Sequence, residues 1–387
     1  MRLILISLFF VISPFVFKAQ NIGSINFASE ETLEVVSWNL EWFPKNGQTT
    51  LQYVASIIQE LDADVIACQE IGDINSFNSL LNLLDNYSGF YASSSDGLAY
   101  IYNNNRVDIN DFYEIYTSSS YSSPFPRRPF VMDFNFQNKH FIVINNHLKC
   151  CGDGYLNLSD GGDEETRRLE AVNLLKSYID TQFQHQNVFV VGDWNDEITD
   201  PYQHNVFRNV LDDKDNYLFS DLGIAYGNPD NWSYPSWPSH LDHILITNEL
   251  FASLDNDASV VEAIRIDELL GGGWDEYEEN VSDHRPVAIK LLIPINLGNE
   301  PPQLMHTKLN VHPNPFSFYT TITLPASDQP VEIEITDIFG RTMFRGKTEA
   351  NQLTFTWHPY VNPSGIYFIR LFINGQERWS NKLIYKK

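Results

Sequence analysis

The stretch Val188-Phe189-Val190-Val191-Gly192-Asp193-Trp194-Asn195 sets four apolar residues in front of a polar cluster. Too short for a helix and rich in β-branched residues, the run reads as a buried strand. The cluster behind it places a carboxylate and an amide at the strand end, where a sheet can build a divalent-metal site. The same arrangement recurs along the chain. Residues 33–36 lead into Ser37-Trp38-Asn39, residues 65–67 into Cys68-Gln69-Glu70, and residues 141–144 into Asn145-Asn146-His147. Two further clusters precede their strands: Leu241-Asp242-His243 stands before residues 244–246, and Ser282-Asp283-His284 before residues 287–292.

Taken singly, an Asp or Asn after a strand is a turn residue or helix cap, and a lone buried His is a satisfied core residue. Taken together, the clusters collect Asn39, Glu70, His147, Asp193, Asn195, Asp242, Asp283 and His284. That set is the inventory for one or two oxygen-loving cations beside a general acid or base.

In order and content these segments resemble the endonuclease/exonuclease/phosphatase superfamily, which includes secreted pancreatic-type DNases, abasic-site endonucleases, neutral sphingomyelinases and inositol polyphosphate phosphatases. The matching pieces are Val36-Ser37-Trp38-Asn39-Leu40-Glu41-Trp42, Ala67-Cys68-Gln69-Glu70, Asn145-Asn146-His147-Leu148-Lys149, Gly192-Asp193-Trp194-Asn195-Asp196, Leu241-Asp242-His243-Ile244-Leu245 and Ser282-Asp283-His284-Arg285-Pro286. They span roughly residues 31–294.

The resemblance implies an α/β protein of α+β character, a four-layer DNase I-like β-sandwich flanked by helices, with the site at one edge. It also implies hydrolysis of a phosphodiester. Such a bond carries negative charge that repels hydroxide, so its hydrolysis needs a cation on the phosphate, an activated water and help for the leaving oxygen. Glu70 is the first-choice metal ligand, with Asn39 beside it and Asp283 across the site. The ion is Mg²⁺ or Mn²⁺, with Ca²⁺ as an alternative. Asp193 and Asn195, two apart at a strand end, are placed to orient water or phosphate together. His284, held by Asp242, and His147 flank the phosphate. The family position matching Arg128 contacts phosphate, although a plain surface arginine is an equal reading, and Lys149 is a second substrate contact. Pancreatic-type DNases support the histidine matching His147 with a glutamate on the strand that here reads Gly97-Leu98-Ala99-Tyr100-Ile101-Tyr102. The orienting partner of His147 is therefore left open.

At 387 residues the chain is long enough for a large domain plus a smaller one. Its net charge of −25 argues against binding nucleic acid by blanket phosphate neutralisation. A nuclease that must release its product needs only cations and a local basic patch, which Arg127, Arg128, Lys149, Arg167 and Arg168 can supply. The N-terminus resembles a secretory signal peptide over residues 1–19, ending at Ala19, with a short membrane anchor as the alternative. Of the three cysteines, Cys68 fits a small buried hydrophobe, while the neighbours Cys150 and Cys151 permit a strained vicinal disulfide or two free thiols.

Helical spacing is expected over residues 51–61, 77–84 and 165–179, the last with Leu169, Val172, Leu175 and Ile179 on its apolar stripe. The Gly- and Asp-rich residues 150–164 read as a loop near the site, either solvated or calcium-binding through Asp153, Asp160, Asp163 and Glu164. A second loop, residues 226–239, carries Trp232, Tyr234 and Trp237, which either stack on bases or lipid headgroups or fold back on the domain.

The expected organisation is therefore a catalytic domain over residues 20–294, a Pro-containing linker over 295–306, and a small all-β Ig-like domain over 307–387. The last resembles the C-terminal sorting domain of proteins exported by the Bacteroidetes type IX secretion system. The pieces that carry this are His312-Pro313-Asn314-Pro315-Phe316, Ile335-Thr336-Asp337-Ile338-Phe339-Gly340-Arg341, Ser364-Gly365-Ile366-Tyr367-Phe368 and the ending Lys382-Leu383-Ile384-Tyr385-Lys386-Lys387. A generic binding module is the alternative. The leading function is a secreted or cell-surface, metal-dependent endonuclease acting on extracellular DNA. The chain is expected to be a monomer, handled by the type IX machinery and exported through the periplasm, with no stable membrane span. The alternatives are a sphingomyelinase-like or inositol-phosphate phosphodiesterase or phosphatase, and an inactive surface-binding protein on the same scaffold.

Overall fold

The computed structural model describes residues 24–25, 27–92, 97–293, 311–324, 327, 329–338, 340–359, 362–373 and 376–387. The expected leader (1–19) and linker (295–306) lie outside the described residues. The chain divides into two compact units, residues 1–295 and 296–387.

In the larger unit, β1 (Thr32–Phe43), β2 (Val65–Ile71), β3 (Tyr87–Tyr91) and β4 (Ala99–Asn103) belong to one sheet. The strands β5 (Val107–Glu114), β6 (Phe130–Phe136), β7 (Lys139–His147), β8 (Asn187–Asp193), β9 (Tyr217–Phe219) and β10 (Asp242–Thr247) form the other. The last two, β11 (Val260–Ala263) and β12 (Val287–Leu292), return to the first sheet. The strand orders are β11-β12-β1-β2-β4-β3 and β5-β6-β7-β8-β10-β9. β1 and β2 run parallel, as do β7 and β8. β12 pairs antiparallel with β1, and β10 with β8.

The unbroken apolar runs follow from burial on both strand faces. Along β1, Leu33 and Val35 pack between the sheets, while Val36, Trp38 and Leu40 face the helix Gly47–Leu61. In the second sheet, Phe141, Val143, Phe189 and Val191 point between the sheets, and Ile142, Ile144, Val188 and Val190 meet the helix Glu164–Gln182. The result is four layers, helix, sheet, sheet and helix.

Two of the helices start earlier than spacing alone indicates, because polar caps lie upstream of the first apolar residue. The helix expected at 77–84 runs Ile74–Leu81, with the Asp73 carboxylate accepting from Asn75 N and Ser76 N. Asp163 likewise accepts from Thr166 N at the start of Glu164–Gln182. Glu165, in the first turn of the same helix, accepts from Gly154 N and ties the preceding loop to it.

The smaller unit holds a three-stranded and a four-stranded sheet around one core that includes Phe316, Ile335, Trp357, Tyr367 and Leu383. It has the Ig-like all-β character expected. Two of its strands, Val311–His312 and Thr342–Lys347, carry no clear alternation in sequence and were not anticipated.

At the edge of the first sheet remote from the strand-end clusters, Glu34 is fully buried. Burial, with the nearby Asp64 charge adding to it, pushes its carboxyl up to about 8. Arg106 pairs with Asp64, and its Nη2 stands 3.8 Å from Glu34 Oε2, too far for a hydrogen bond. A folded acid whose pKa is raised binds its proton more tightly than the unfolded chain, so stability falls as pH rises from its ordinary 4.5 to about 8. Glu34→Gln is expected to be more stable than the native chain above pH 8, on the order of 1–3 kcal/mol, with the gap closing below pH 4.5. Urea unfolding at the two extremes of pH checks this.

Candidate active site

Because side chains alternate along a strand, the positions that face between the sheets can be followed to the strand ends. In β1 they run Leu33, Val35, Ser37, Asn39; in β2, Val65, Ala67, Gln69; in β7, Phe141, Val143, Asn145, His147; and in β8, Phe189, Val191, Asp193. Each row turns from apolar to polar at the same edge. The antiparallel strands β10 and β12 begin where the others finish, so Asp242 and the Ser282-Asp283-His284 turn arrive at that edge too.

Registers then set the neighbours. Asp193 lies opposite His147 on one side and Asp242 on the other. The parallel pairing of β7 with β8 brings the backbones so close at Asn146 and Gly192 that a Cβ on Gly192 would stand 1.9 Å from Asn146 O. With φ at +144°, only glycine fits there.

A buried polar seam below the site joins the two sheets. Gln69 Nε2 donates to Asn145 Oδ1 (2.8 Å), and Asn145 Nδ2 donates to Cys68 O (2.9 Å) and Ala99 O (3.1 Å). Tyr100 Oη accepts from Asn145 N and lies within hydrogen-bond distance of Phe130 O and Val143 O. Tyr100 thus occupies the strand that lacks the expected glutamate, but it holds Asn145 rather than His147. His147 Nδ1 is buried with no hydrogen-bond partner among the described residues.

Above the seam, Asn39 Nδ2 donates to Glu70 Oε1 (3.2 Å) and Asp193 Oδ2 (3.0 Å), while Asn39 Oδ1 accepts from Glu41 N. Glu70 has a left-handed φ of +59°, which takes it out of strand alternation, and its Oε2 accepts from Trp42 N. His147 Nε2 is 3.5 Å from Asp193 Oδ2 and 3.8 Å from Glu70 Oε1. Donor atoms of Glu70, His147 and Asp193 all lie within 4.8 Å of one another. Asp283 is not one of that group; its Oδ1 stands 3.9 Å from His284 Nε2.

His284 Nδ1 bonds Asp242 Oδ2 at 2.7 Å, and its Nε2 is 3.9 Å from Asp193 Oδ2. Burial disfavours its charge, yet Asp242, Asp193 and Asp283 together push it up to about 10. Burial raises Asp193 to about 7, with Asp242 and Glu70 adding and His284 opposing. Burial also lifts Asp283 to about 6, helped by Glu41 and Glu70. His147 moves the other way, held well below its ordinary value by burial and then by Arg127 and His284. Two buried carboxylates, Asp193 and Asp283, each raised in part by the charge of Glu70, are the donor chemistry that a hard divalent cation relieves. The residues present therefore fit such an ion.

Two expectations need correction. β8 ends at Asp193, so alternation does not carry to Asn195; that residue sits in a turn at φ +55°, its N bonded to Asp193 Oδ1 and its Nδ2 to Leu148 O. Arg168 is not a surface cation. It is buried, pairs with Glu165 and Asp196, and donates to the carbonyls of Lys149 and Cys151, because the helix turns it inward onto the loop after β7. The remaining basic residues are engaged as well: Arg128 with Glu114, Arg127 near Leu148 O, Arg167 on Ser123 O and Lys149 on Cys150 O.

Tyr277, Asp221 and His240 were not singled out in sequence. Ser282 Oγ donates to Asn39 O, tying the last cluster to the first, and Tyr277 Oη donates to His284 O. Tyr234 from the aromatic loop packs its ring 4.8 Å from the His284 ring. Trp232 is half-buried with its indole N–H on Ile224 O, whereas Trp237 is exposed. Asp221, His240 and His243 form a buried trio behind Asp242. Only the His243 part carried a signal, in Leu241-Asp242-His243.

Residues 36–284 match the model of the endonuclease/exonuclease/phosphatase family. The chain belongs to that family. Its members are hydrolases of phosphodiester or phosphate-ester bonds. Residues 310–386 match the secretion system C-terminal sorting domain, which indicates export to the medium or the cell surface. No curated protein matches the chain. Among solved structures, D. rerio TDP2 complexed with a single-strand DNA product is 14% identical, with 68% of this chain and 99% of that chain covered and a TM-score of 0.51. D. rerio TDP2 humanized by 14 mutations is 15% identical, with 67% and 99% covered and a TM-score of 0.50. Both likenesses concern the fold. Among the described residues, no helix is long and apolar enough to cross a membrane.

The buried trio yields a prediction. His243 Nδ1 meets Asp221 Oδ2 at 2.6 Å and its Nε2 meets Asp196 O at 2.9 Å. A carbonyl and an ionised carboxylate only accept, so both ring nitrogens carry protons. Burial opposes that charge, but Asp221 outweighs it and raises His243; burial likewise opposes the Asp221 charge, and the two histidines hold it below its ordinary range. Stability from Asp221 is lost as pH falls below 3.8, and stability from His243 is present below 6.5 and lost as pH rises through its folded value. Asp221→Asn is expected to cost about 3–5 kcal/mol in urea unfolding, with the largest gap between pH 3.8 and 6.5.

Proposed function

We propose that this chain is an exported, divalent-cation-dependent phosphodiesterase whose substrate is DNA. The observation that carries the reading is the line His147, Asp193, Asp242 and His284, with Glu70 beside it, held in register on two sheets. A scaffold that only bound a surface would gain nothing from a carboxylate such as Asp193, buried beside Asp242 and Glu70 until its pKa rises to about 7.

Glu70, Asn39 and Asp283 would hold Mg²⁺ or Mn²⁺, which when bound polarises a phosphate oxygen and offsets its charge. The chain's own residues supply the proton chemistry. His284, kept protonated by Asp242, donates to the phosphate oxygens as negative charge develops. Asp193, raised to about 7, is placed to take the proton of the attacking water, and Asn39 orients its carboxylate. His147, held neutral, faces the leaving oxygen with Nε2, while Asn195 fixes the turn that carries Asp193. Arg128 and Lys149 are the proposed phosphate contacts outside this centre.

Exposed Trp237 and the exposed Trp42, whose backbone N bonds Glu70, favour a second reading in which aromatic rings meet a lipid headgroup. The two are separated by incubating the purified chain with plasmid DNA, RNA, sphingomyelin and a bis-phosphodiester, with Mg²⁺, Mn²⁺, Ca²⁺ or chelator. DNA cleavage that chelator abolishes is expected; turnover of sphingomyelin alone would overturn the DNA assignment. His284→Ala is expected to lower the rate by about 10²–10⁴-fold, and Glu70→Gln to raise the Mg²⁺ needed for half-maximal rate. Unchanged metal dependence in the latter removes Glu70 from the ligand set.

The sorting domain is proposed to carry the address and nothing of the chemistry, since the residues assigned to catalysis lie before residue 294. Deleting residues 307–387 is expected to leave activity on DNA intact while the protein accumulates in the periplasm of its host. Its normal appearance in the medium would favour a binding module instead.

A further inference from the structure

Three residues after His147 the chain presents two adjacent cysteines, Cys150 half-buried and Cys151 exposed. Cys151 Sγ donates to Cys150 Sγ at 3.0 Å, and Lys149 Nζ lies 3.7 Å from the same Cys150 sulfur. The loop is not free to splay them apart. Arg168 Nη1 donates to the carbonyls of Lys149 and Cys151, both at 2.7 Å, and Gly154 N is held by Glu165. Cys151 is kept at a left-handed φ of +71°. Cys68, in contrast, is sealed in the core, and burial drives its thiol upward and out of reach.

We propose that Cys150 and Cys151 form a reversible thiol–disulfide site beside the active centre, whose reactant is a small-molecule disulfide. The Cys150 sulfur attacks one sulfur of that disulfide, forms a mixed disulfide and expels one thiolate. Cys151 then attacks Cys150 Sγ and releases the second small thiol. The two cysteines lose two protons and two electrons, and the small disulfide gains them to become two thiols; two small thiols run the steps backward.

Cys150 is the attacking sulfur because it accepts the Cys151 S–H and lies beside the Lys149 ammonium. Adjacency sets the reversibility. Neighbouring Cα atoms are about 3.8 Å apart, under the roughly 4.4–6.8 Å that a relaxed disulfide spans. A bond formed there is strained, and strained, exposed disulfides are the readily reduced ones. The site is thus built for exchange with the surroundings rather than for holding the fold.

The test treats the full reduced chain with oxidised glutathione and follows intact and peptide mass. Expected is loss of two hydrogens with no retained glutathione, mapped to a link within the Cys150-Cys151 peptide and reversed by reduced glutathione. Cys150→Ser and Cys151→Ser are each expected to stop at a stable glutathione adduct. In urea, where the loop is released, closure relative to adduct is expected to fall roughly ten-fold or more. A persistent adduct on the native chain, a disulfide between two chains, no reaction, or equal closure in urea would each overturn the proposal.

Discussion

Charge carried to the end of a dry inter-sheet core must be paired, shared or neutralised, and the architecture of this protein is organised around that constraint. Asp193 and Asp242 stand at the ends of rows of side chains that are otherwise apolar, and Glu70 lies beside them at the end of β2. They are tolerable there because Asn39 bridges two of them, because His284 is held cationic against the third, and because the remaining excess negative charge matches a divalent ion. Beneath them the Gln69–Asn145–Tyr100 seam satisfies backbone carbonyls of both sheets. Cutting that seam would leave buried amides without partners and let the two halves of the site slide apart.

The same constraint explains the support behind Asp242. His243, as a buried cation, ties the start of β10 to Asp221 and to the backbone at Asp196, next to the turn of Asn195. Arg168 reaches that turn from the other side through the Asp196 carboxylate. Two buried cations therefore brace the turn that positions Asp193.

Much of this was legible in sequence, and for a definite reason. Residues such as Val188 to Val191 are apolar on both faces because each strand of a four-layer fold is covered twice, so the strands and their polar ends stand out locally. Contacts between distant turns left no such trace. Asp221 follows an ordinary serine in an ordinary turn, and its partners His240 and His243 lie about twenty residues on. Arg168 looked like a polar-face residue because its acceptors, Asp196 and two loop carbonyls, are supplied by other elements. Asn195 departed from alternation because the strand stops one residue before Trp194, which turns into the core to bond His243 O. The position of Glu70 depends on a left-handed backbone angle that an acidic residue does not advertise.

The first strand of the larger unit is zipped to its last, with Thr32 opposite Leu292 and Ser37 opposite Val287. Asn39 therefore meets Ser282 only after more than two hundred intervening residues have been synthesised and folded. Closures of that range are slow relative to local structure. A chain still emerging from the ribosome has no assembled site, so the phosphate esters of the cell that makes it are not exposed to its chemistry until the last strand has paired with the first.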